Sequence, residues 1–382
     1  MASHAHIALN AHLLSGTAGY RSAGIHGYLY NTLACLSAVD PTLCYTVFVG
    51  KGQLPPGMAH AAHRSRWPTT NPLARIAWEQ IAAPATLGRL HPDLLHGMAF
   101  ATPLLWGGPS VVTVYDLSFI RHPERLNASR RLYLRWITAS SCRRARRVIA
   151  ISESSKREMN ALLSIALDRI DVAPPGVGPD FRPLPRRMVE NFRQCEGLPE
   201  RFMLFVGTLE PRKNLDMLLR AYAQLPQRGA VKLALVGDRG WLYEPILALI
   251  EELGLHDDTL MPGYISGESL PLWYNSSELF VYPSLYEGFG LPLLEAMACG
   301  TAVVAADATS LPEVVGPAGV LVPPSDVAAW VRALSRLLDD HVARADYGAR
   351  GQERAASFTW ERTAKQTVLT YRRALSGREF QA

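Results

Sequence analysis

Short apolar runs rich in β-branched residues recur along this chain, and most are followed by stretches whose apolar positions return every three or four residues. The short runs have the length of buried strands, and the longer stretches have the spacing of one helix face. In the first half this predicts strands at 6–9, 45–49, 94–96, 111–115 and 148–151, with helices between them, for instance at 24–37 and 152–163. In the second half it predicts strands at 202–206, 232–236, 259–261, 279–282, 302–305 and 319–321. The helices predicted there are 215–225, 243–253, 269–276, 291–299 and 326–338. Alternation of this kind makes a parallel sheet with helices on both faces, and its occurring twice makes two doubly wound α/β domains. The turn-rich stretch 173–199, with Pro174, Pro175, Gly176, Gly178, Pro179, Pro183 and Pro185, reads as the linker. The expected domains are 1–180 and 181–360. Ligands of such sheets sit at the carboxyl ends of the strands, so a site in a cleft between two facing sheets is expected.

Composition narrows the picture. A chain of 382 residues with 48% hydrophobic and 19% charged residues suits two globular cores and not a disordered chain. Cys35, Cys44, Cys142, Cys195 and Cys299 are odd in number, scattered and free of any C-x-x-C pair, which speaks against a disulfide framework or a zinc site and fits a reducing compartment. The first 20 residues have no Lys or Arg ahead of their apolar stretch, so a signal peptide is not expected. The run 94–115 has no formal charge, but Gly97, Pro103, Gly107, Gly108 and Pro109 break it. Two buried strands joined by a loop explain it better than a spanning helix, and a soluble cytoplasmic protein is expected.

Charge adds one feature. Residues 1–180 carry 18 Lys/Arg against 10 Asp/Glu, whereas the remainder carries 21 against 24. Arg130, Arg131, Arg135, Arg143, Arg144, Arg146 and Arg147 cluster in one predicted helix with Leu132, Tyr133, Leu134, Trp136 and Ile137. Two readings stay open: a solvated helix face, or a surface that settles on anionic lipid at the inner face of a membrane, at about 1 kcal/mol per basic residue. Nucleic acid is not expected as a partner, since no basic groove with interleaved aromatics and no known module is present.

Three segments carry chemistry. In LFVYPSLYEGFGLPLLEAMACG, residues 279–300, a strand runs into a turn with Pro283, Gly288 and Gly290, and a helix starts near Leu291 with Pro292 in its first turn. The glycines let backbone approach a ligand, and the helix start offers N–H groups and a positive dipole end suited to phosphate. Glu287 precedes the turn and Glu295 lies about one turn inside the helix, so the two acids reach different ends of a ligand lying across it. A carboxylate accepts two hydroxyl hydrogen bonds, which suits one acid to a sugar and the other to a ribose. In FMLFVGTLEPRKNL, residues 202–215, Arg212 and Lys213 follow a strand's carboxyl end and suit a diphosphate whose charge must be neutralised. The chain has no D-x-D, so no metal clamp for that diphosphate is evident and no metal or other cofactor is expected. The third segment, SGTAGYRSAGIHGY at 15–28, has Gly16, Gly19, Gly24 and Gly27 after the first strand. It lacks G-x-G-x-x-G, which disfavours nicotinamide dinucleotides.

With these motifs the chain resembles the retaining glycosyltransferases of family 4, which have the GT-B architecture of two Rossmann-like domains facing each other across a cleft. SAGIHGY, VYDLSFIRHPE, RVIAISESSK, APPGVGPDF, VGTLEPRKN, PSLYEGFGLPLLEAMACG and SLPEVVGPAGVLVPP carry the resemblance over nearly the whole chain. It implies that Glu287 binds donor-sugar hydroxyls and Glu295 the ribose, and that Arg212 and Lys213 hold the diphosphate. Backbone at Gly288, Phe289, Gly290 and Leu291 would approach the sugar and phosphates, with Gly24 closing from the first domain. It also implies a metal-independent hexosyl transfer with retained anomeric configuration, the leaving phosphate helping to deprotonate the acceptor. Many relatives have His-Asp where this chain has Tyr115-Asp116; both residues are expected at the site, with no cationic role for Tyr115. His26 is expected to face substrate and His96 to be structural. Trp360 resembles the start of a late helix, about 361–378, that returns to the first domain and serves packing. TLEPRKN and DLSFIRHPE resemble mannosyltransferases of surface-polysaccharide assembly, which favours GDP-mannose while leaving UDP-glucose and other UDP-sugars open. The acceptor is expected to be a saccharide or a lipid-linked one. The rival readings are an epimerase or phosphorylase on the same architecture, or a non-catalytic sugar-binding protein.

Overall fold

A computed structural model of the chain describes residues 4–14, 24–65, 67–69, 71–125 and 127–376. The chain folds as two units, one running up to Gly176 and resuming at Trp360, the other spanning Val177–Thr359.

The first unit holds a seven-stranded parallel sheet of β1 (Ala5–Asn10), β2 (Leu43–Val49), β3 (Ala62–Arg64), β4 (Leu94–Gly97), β5 (Ser110–Val114), β6 (Arg147–Ala150) and β7 (Ile170–Val172). Their order across the sheet is β3-β2-β1-β4-β5-β6-β7, so the winding reverses between β1 and β4. The uncharged run 94–115 is indeed two buried strands, β4 and β5, joined by a loop. Two short edge strands were not predicted. Three residues are too few for a period to show, and β7 carries Asp171, a poor strand former, because its carboxylate takes the Arg147 guanidinium at 2.9 Å. Helices start where the sequence supplies caps: the Asn127 side chain accepts from Arg130 N–H at 3.0 Å, and Ser152 Oγ accepts from Ser155 N–H at 2.9 Å.

The basic cluster does not lie in one helix. The helix Ala128–Arg144 ends before Arg146, whose side chain donates to the Ala374 carbonyl at 2.8 Å, and Arg147 opens β6. Both spend their charge inside the unit, while Arg130, Arg135, Arg143 and Arg144 stay exposed with Leu132 and Trp136. Gly27 lies in the first turn of the helix Ile25–Val39, within the helix predicted at 24–37.

The closing helix Trp360–Ser376 belongs to the first unit. Trp360 meets Tyr28 edge-on with ring centroids 5.9 Å apart, and Thr363 Oγ1 donates to the Pro174 carbonyl at 2.6 Å. Deeper in, His96 bonds Tyr371 through Nδ1 at 2.7 Å and Thr113 through Nε2 at 2.8 Å. Burial depresses its imidazole to about 3, so it is a neutral structural residue, as expected from the sequence.

The second unit holds a six-stranded parallel sheet of β8 (Phe202–Val206), β9 (Lys232–Val236), β10 (Thr259–Gly263), β11 (Leu279–Tyr282), β12 (Val303–Ala306) and β13 (Val320–Val322). Its order is β10-β9-β8-β11-β12-β13. β8, β9, β11 and β12 are buried on both faces, which explains why they read as unbroken apolar runs and not as alternating ones. The proline-rich linker stretch is not structureless. It contains the helix Arg186–Cys195, and Leu184 N–H donates to the Asn275 side chain at 2.9 Å, which docks the stretch on the second unit.

Candidate active site

In the second sheet the chain order reverses between β8 and β11, which lie side by side. At such a switch point the loops leaving the two strands diverge and open a crevice at their carboxyl ends. The loop after β8 carries Glu210, Arg212 and Lys213, and the loop after β11 carries Ser284 and Glu287.

Local chemistry ties these loops together. The first ends in the short turn Pro211–Lys213, followed by Asn214 at φ 56°, a left-handed conformation that Asn tolerates better than most residues. The Asn214 amide donates to the carbonyls of Pro283 at 3.2 Å and Pro324 at 2.8 Å, and Leu285 N–H donates to the Arg212 carbonyl at 2.9 Å. The turn itself is pinned from a third loop. Glu287 N–H donates to Thr309 Oγ1 at 3.1 Å, and buried Ser310 donates to the carbonyls of Glu287 at 3.0 Å and Phe289 at 2.8 Å.

Within this frame the four charged side chains form one cluster. Glu287 Oε1 accepts from Lys213 Nζ at 2.5 Å, Ser284 Oγ at 2.6 Å and Tyr282 Oη at 2.9 Å, while Oε2 faces Arg212 Nη1 at 2.9 Å. Arg212 turns its other edge to Glu210, with Nε at 2.9 Å and Nη2 at 2.7 Å from Oε1. Burial alone would raise the Glu287 carboxyl, but Arg212, Lys213 and the hydrogen bonds from Lys213 and Ser284 outweigh it and hold it well below the usual carboxylate range. Burial pulls the Lys213 ammonium down against the opposing pull of Glu287, whereas Glu287 and Glu210 overcome burial and drive Arg212 upward. Two acids and two bases thus balance, and each is oriented before any ligand arrives. Glu287 lies against the cations, so the sugar acid and the phosphate cations of the sequence reading are one unit.

Gly290 caps the helix Leu291–Ala298 at φ 111°, and a β-carbon there would lie 2.9 Å from Leu311 Cδ2. Only glycine fits this closely packed left-handed cap. Phe289 is buried, its ring centroid 5.7 Å from that of Phe358, so its backbone and not its side chain is what the turn can offer. Gly288 and Leu291 complete the turn on either side of that backbone. One turn into the helix, Glu295 accepts from Tyr274 Oη at 2.8 Å, and burial raises its carboxyl to about 7.

The remaining expected residues lie in the first unit. Gly24 precedes the helix Ile25–Val39 at φ 62°, and a β-carbon there would meet nothing within 4 Å. Gly16 and Gly19 lie outside the described residues. Tyr115 is buried just past β5, edge-on to Tyr28 at 5.3 Å, and its hydroxyl donates to the Met98 carbonyl at 2.8 Å. Burial, with Tyr28 adding, pushes its phenol well above the ordinary value. Its one proton is therefore engaged within the unit, which leaves the hydroxyl oxygen as an acceptor. Asp116 Oδ1 accepts from Ser118 N–H at 2.8 Å at the start of a short helix. His26 stacks near Tyr30 at 6.1 Å, and burial lowers its imidazole.

Sequence reasoning missed Glu210, Tyr282 and Ser284, although all three lie within five residues of a predicted site residue and share its loop or strand end. Tyr274, Thr309 and Ser310 sit on other loops and helices, where no local pattern singles them out.

Similarity to known proteins agrees with this geometry. The model of Glycosyltransferase Family 4 matches residues 28–181, and that of Glycosyl transferases group 1 matches residues 189–354. The chain is 35% identical over 266 residues to O-antigen chain mannosyltransferase B of Escherichia coli, covering 69% of this chain and 70% of that protein. It belongs to glycosyltransferase family 4. A second relative of this family 4 glycosyltransferase is D-inositol 3-phosphate glycosyltransferase of Paenarthrobacter aurescens (strain TC1), 32% identical over 286 residues, covering 72% of this chain and 69% of that one. Among solved structures, sucrose-phosphate synthase of Thermosynechococcus elongatus superposes with a TM-score of 0.78 at 24% identity, covering 98% of this chain and 100% of that one. That likeness concerns the fold, two parallel-sheet Rossmann-like domains of the GT-B class. Among the described residues, no helix of the glycosyltransferase is long and apolar enough to cross a membrane.

Proposed function

We propose that this family 4 glycosyltransferase transfers a hexose, with retention and without a metal, from a nucleotide sugar to a saccharide or lipid-linked acceptor in surface-polysaccharide assembly. The observation that carries the reading is the Glu210–Arg212–Lys213–Glu287 cluster at the carboxyl ends of β8 and β11. GDP-mannose is the donor we favour, supported by the mannosyltransferase relative.

In this reading the diphosphate lies beside Arg212 and Lys213, whose charges Glu287 and Glu210 hold in place. The bond from the anomeric carbon to the diphosphate oxygen breaks, and the electron pair leaves with the nucleoside diphosphate. The two cations stabilise that charge without a reorganisation cost. The acceptor oxygen bonds the anomeric carbon from the same face, and its proton passes to the departing phosphate. Glu287 stays ionised throughout: its depressed carboxyl makes it a counter-ion and hydroxyl acceptor, not a proton shuttle. Backbone from Gly288 to Leu291 lines the sugar and phosphates, and Glu295 takes the ribose hydroxyls. Gly24, Tyr115 and Asp116 are kept as further site residues of this proposal. The exposed Arg130, Arg135, Arg143, Leu132 and Trp136 suit a peripheral contact with anionic lipid on the cytoplasmic side. Co-sedimentation with acidic vesicles at background level would remove that part of the reading.

A panel of nucleotide sugars assayed for nucleoside diphosphate release, with and without acceptor extract, tests the reaction. Acceptor-dependent release from GDP-mannose is expected; release only from a UDP-sugar changes the donor, and conversion of the donor with no acceptor makes the protein an epimerase. Arg212→Ala and Glu295→Ala are expected to lose donor binding, and Glu287→Ala to lower kcat more than donor affinity.

A further inference from the structure

The segment after β9, GDRGWLY at 237–243, has no place in the reading so far, yet it is bound to the cation loop along its length. Leu209 and Arg239 form a parallel bridge, Leu209 N–H donates to the Asp238 carbonyl at 2.9 Å, and Gly240 N–H donates to the Leu209 carbonyl at 3.0 Å. The approach is close enough that a β-carbon on Gly240 would lie 2.8 Å from the Leu209 carbonyl oxygen. This register brings Trp241 over the turn, where its indole Nε1–H donates to Glu210 Oε2 at 3.0 Å.

Glu210 is 3% exposed, so its carboxylate depends on protein groups for orientation. The indole engages one oxygen, and the other receives Nε and Nη2 of Arg212. Arg212 then presents its Nη1 edge to Glu287 and to the Tyr286 carbonyl. An unbroken series of directional bonds therefore runs from Trp241 through Glu210 to the guanidinium. We infer that Trp241 is a positioning residue for donor binding, its indole N–H orienting Glu210 so that Glu210 holds Arg212 in the phosphate-binding pose. The inference rests on the proposed role of Arg212, because without a diphosphate beside that guanidinium there is nothing for it to be positioned toward. A buried charge pair is sensitive to such a change, since a carboxylate that loses one of its orienting donors is held less firmly.

Trp241→Phe keeps an aromatic side chain and removes the N–H together with the five-membered ring that carries it. The KM for the nucleotide sugar is expected to rise about ten-fold, as for loss of one hydrogen bond to a charged group. Loss of folded enzyme cannot mimic this, since it lowers the apparent kcat and leaves KM alone. Glu210→Gln is expected to raise KM by a similar factor. The double variant Glu210→Gln/Trp241→Phe should be no worse than the poorer single one, because both act through one bond. A wild-type KM in Trp241→Phe, or effects that multiply in the double variant, overturns the inference. Arg212→Ala separates the two levels. If it binds donor normally, the site reading itself fails; if it loses donor while Trp241→Phe does not weaken it, only the coupling through Trp241 fails.

Discussion

Two half-buried carboxyls in the second unit are shifted in opposite directions, and the difference lies in what surrounds them. Glu287 has two cations against it and is ionised; Glu295 has the Tyr274 phenol, and burial raises its carboxyl to about 7. If Glu295 receives ribose hydroxyls, it does so best as a carboxylate. Donor affinity is therefore expected to strengthen several-fold as pH rises from 6 to 8, and Glu295→Gln to flatten that dependence, measured by calorimetric titration with the nucleoside diphosphate. In the first unit, Glu79 is 9% exposed and accepts from Asn10 Nδ2 at 2.5 Å, and burial, opposed by Arg75 and that hydrogen bond, raises its carboxyl from 4.5 to about 7. The folded protein then holds a proton that the unfolded chain has released, so stability falls as pH rises between those two values and levels off above them. Glu79→Gln keeps the acceptor for Asn10 and should remove a drop on the order of 1–3 kcal/mol, visible as a smaller fall in Tm between pH 5 and pH 8.

At the scale of elements, two glycines that look alike in sequence have different tasks. Gly290 sits at φ 111° against Leu311, and Gly290→Ala forces both a left-handed alanine and a close contact. A cost of roughly 1–2 kcal/mol and weaker donor binding are expected, because the turn from Glu287 to the helix start must shift. Gly27 lies inside the helix Ile25–Val39 with open space where a β-carbon would go. Gly27→Ala is expected to be neutral or to stabilise by up to about 1 kcal/mol. Thermal unfolding of the two variants side by side checks the contrast. The inner strands β8, β11 and β12 of the second unit were readable because burial on both faces leaves them wholly apolar. β3 and β7 were not: with His63 and Arg64 in one and Asp171 in the other, neither shows an apolar run, and each is defined by the neighbour it pairs with, β2 and β6.

On the scale of the molecule, the first unit is discontinuous, and the helix Trp360–Ser376 completes it after the chain has built the whole second unit. Tyr371 and Thr363 tie that helix to His96 and Pro174. Tyr371→Phe leaves Nδ1 of a buried histidine facing a ring, and a loss of about 1–3 kcal/mol is expected in the first unit's unfolding, measured by hydrogen exchange in β4 and β5. The second unit makes no use of that hydroxyl, and its exchange should not change.

The two-domain α/β class and most strands and helices were legible in the sequence by itself, and Glu287, Glu295, Arg212 and Lys213 stood out there as candidates. Each rests on local facts: apolar runs of strand length, a glycine turn between strand and helix, paired cations after a strand end. What only the tertiary structure decided is which side chains meet. The neighbouring positions of β8 and β11 bring Glu287 onto Arg212 and Lys213, and the loop after β9 brings Trp241 onto Glu210. The same holds for the first unit, where Tyr115 reads as a site residue from its neighbours in sequence but spends its hydroxyl on Met98. Hydrogen bonds and ion pairs between loops depend on strand order and on the path of the backbone, and a periodicity within one segment carries no record of either.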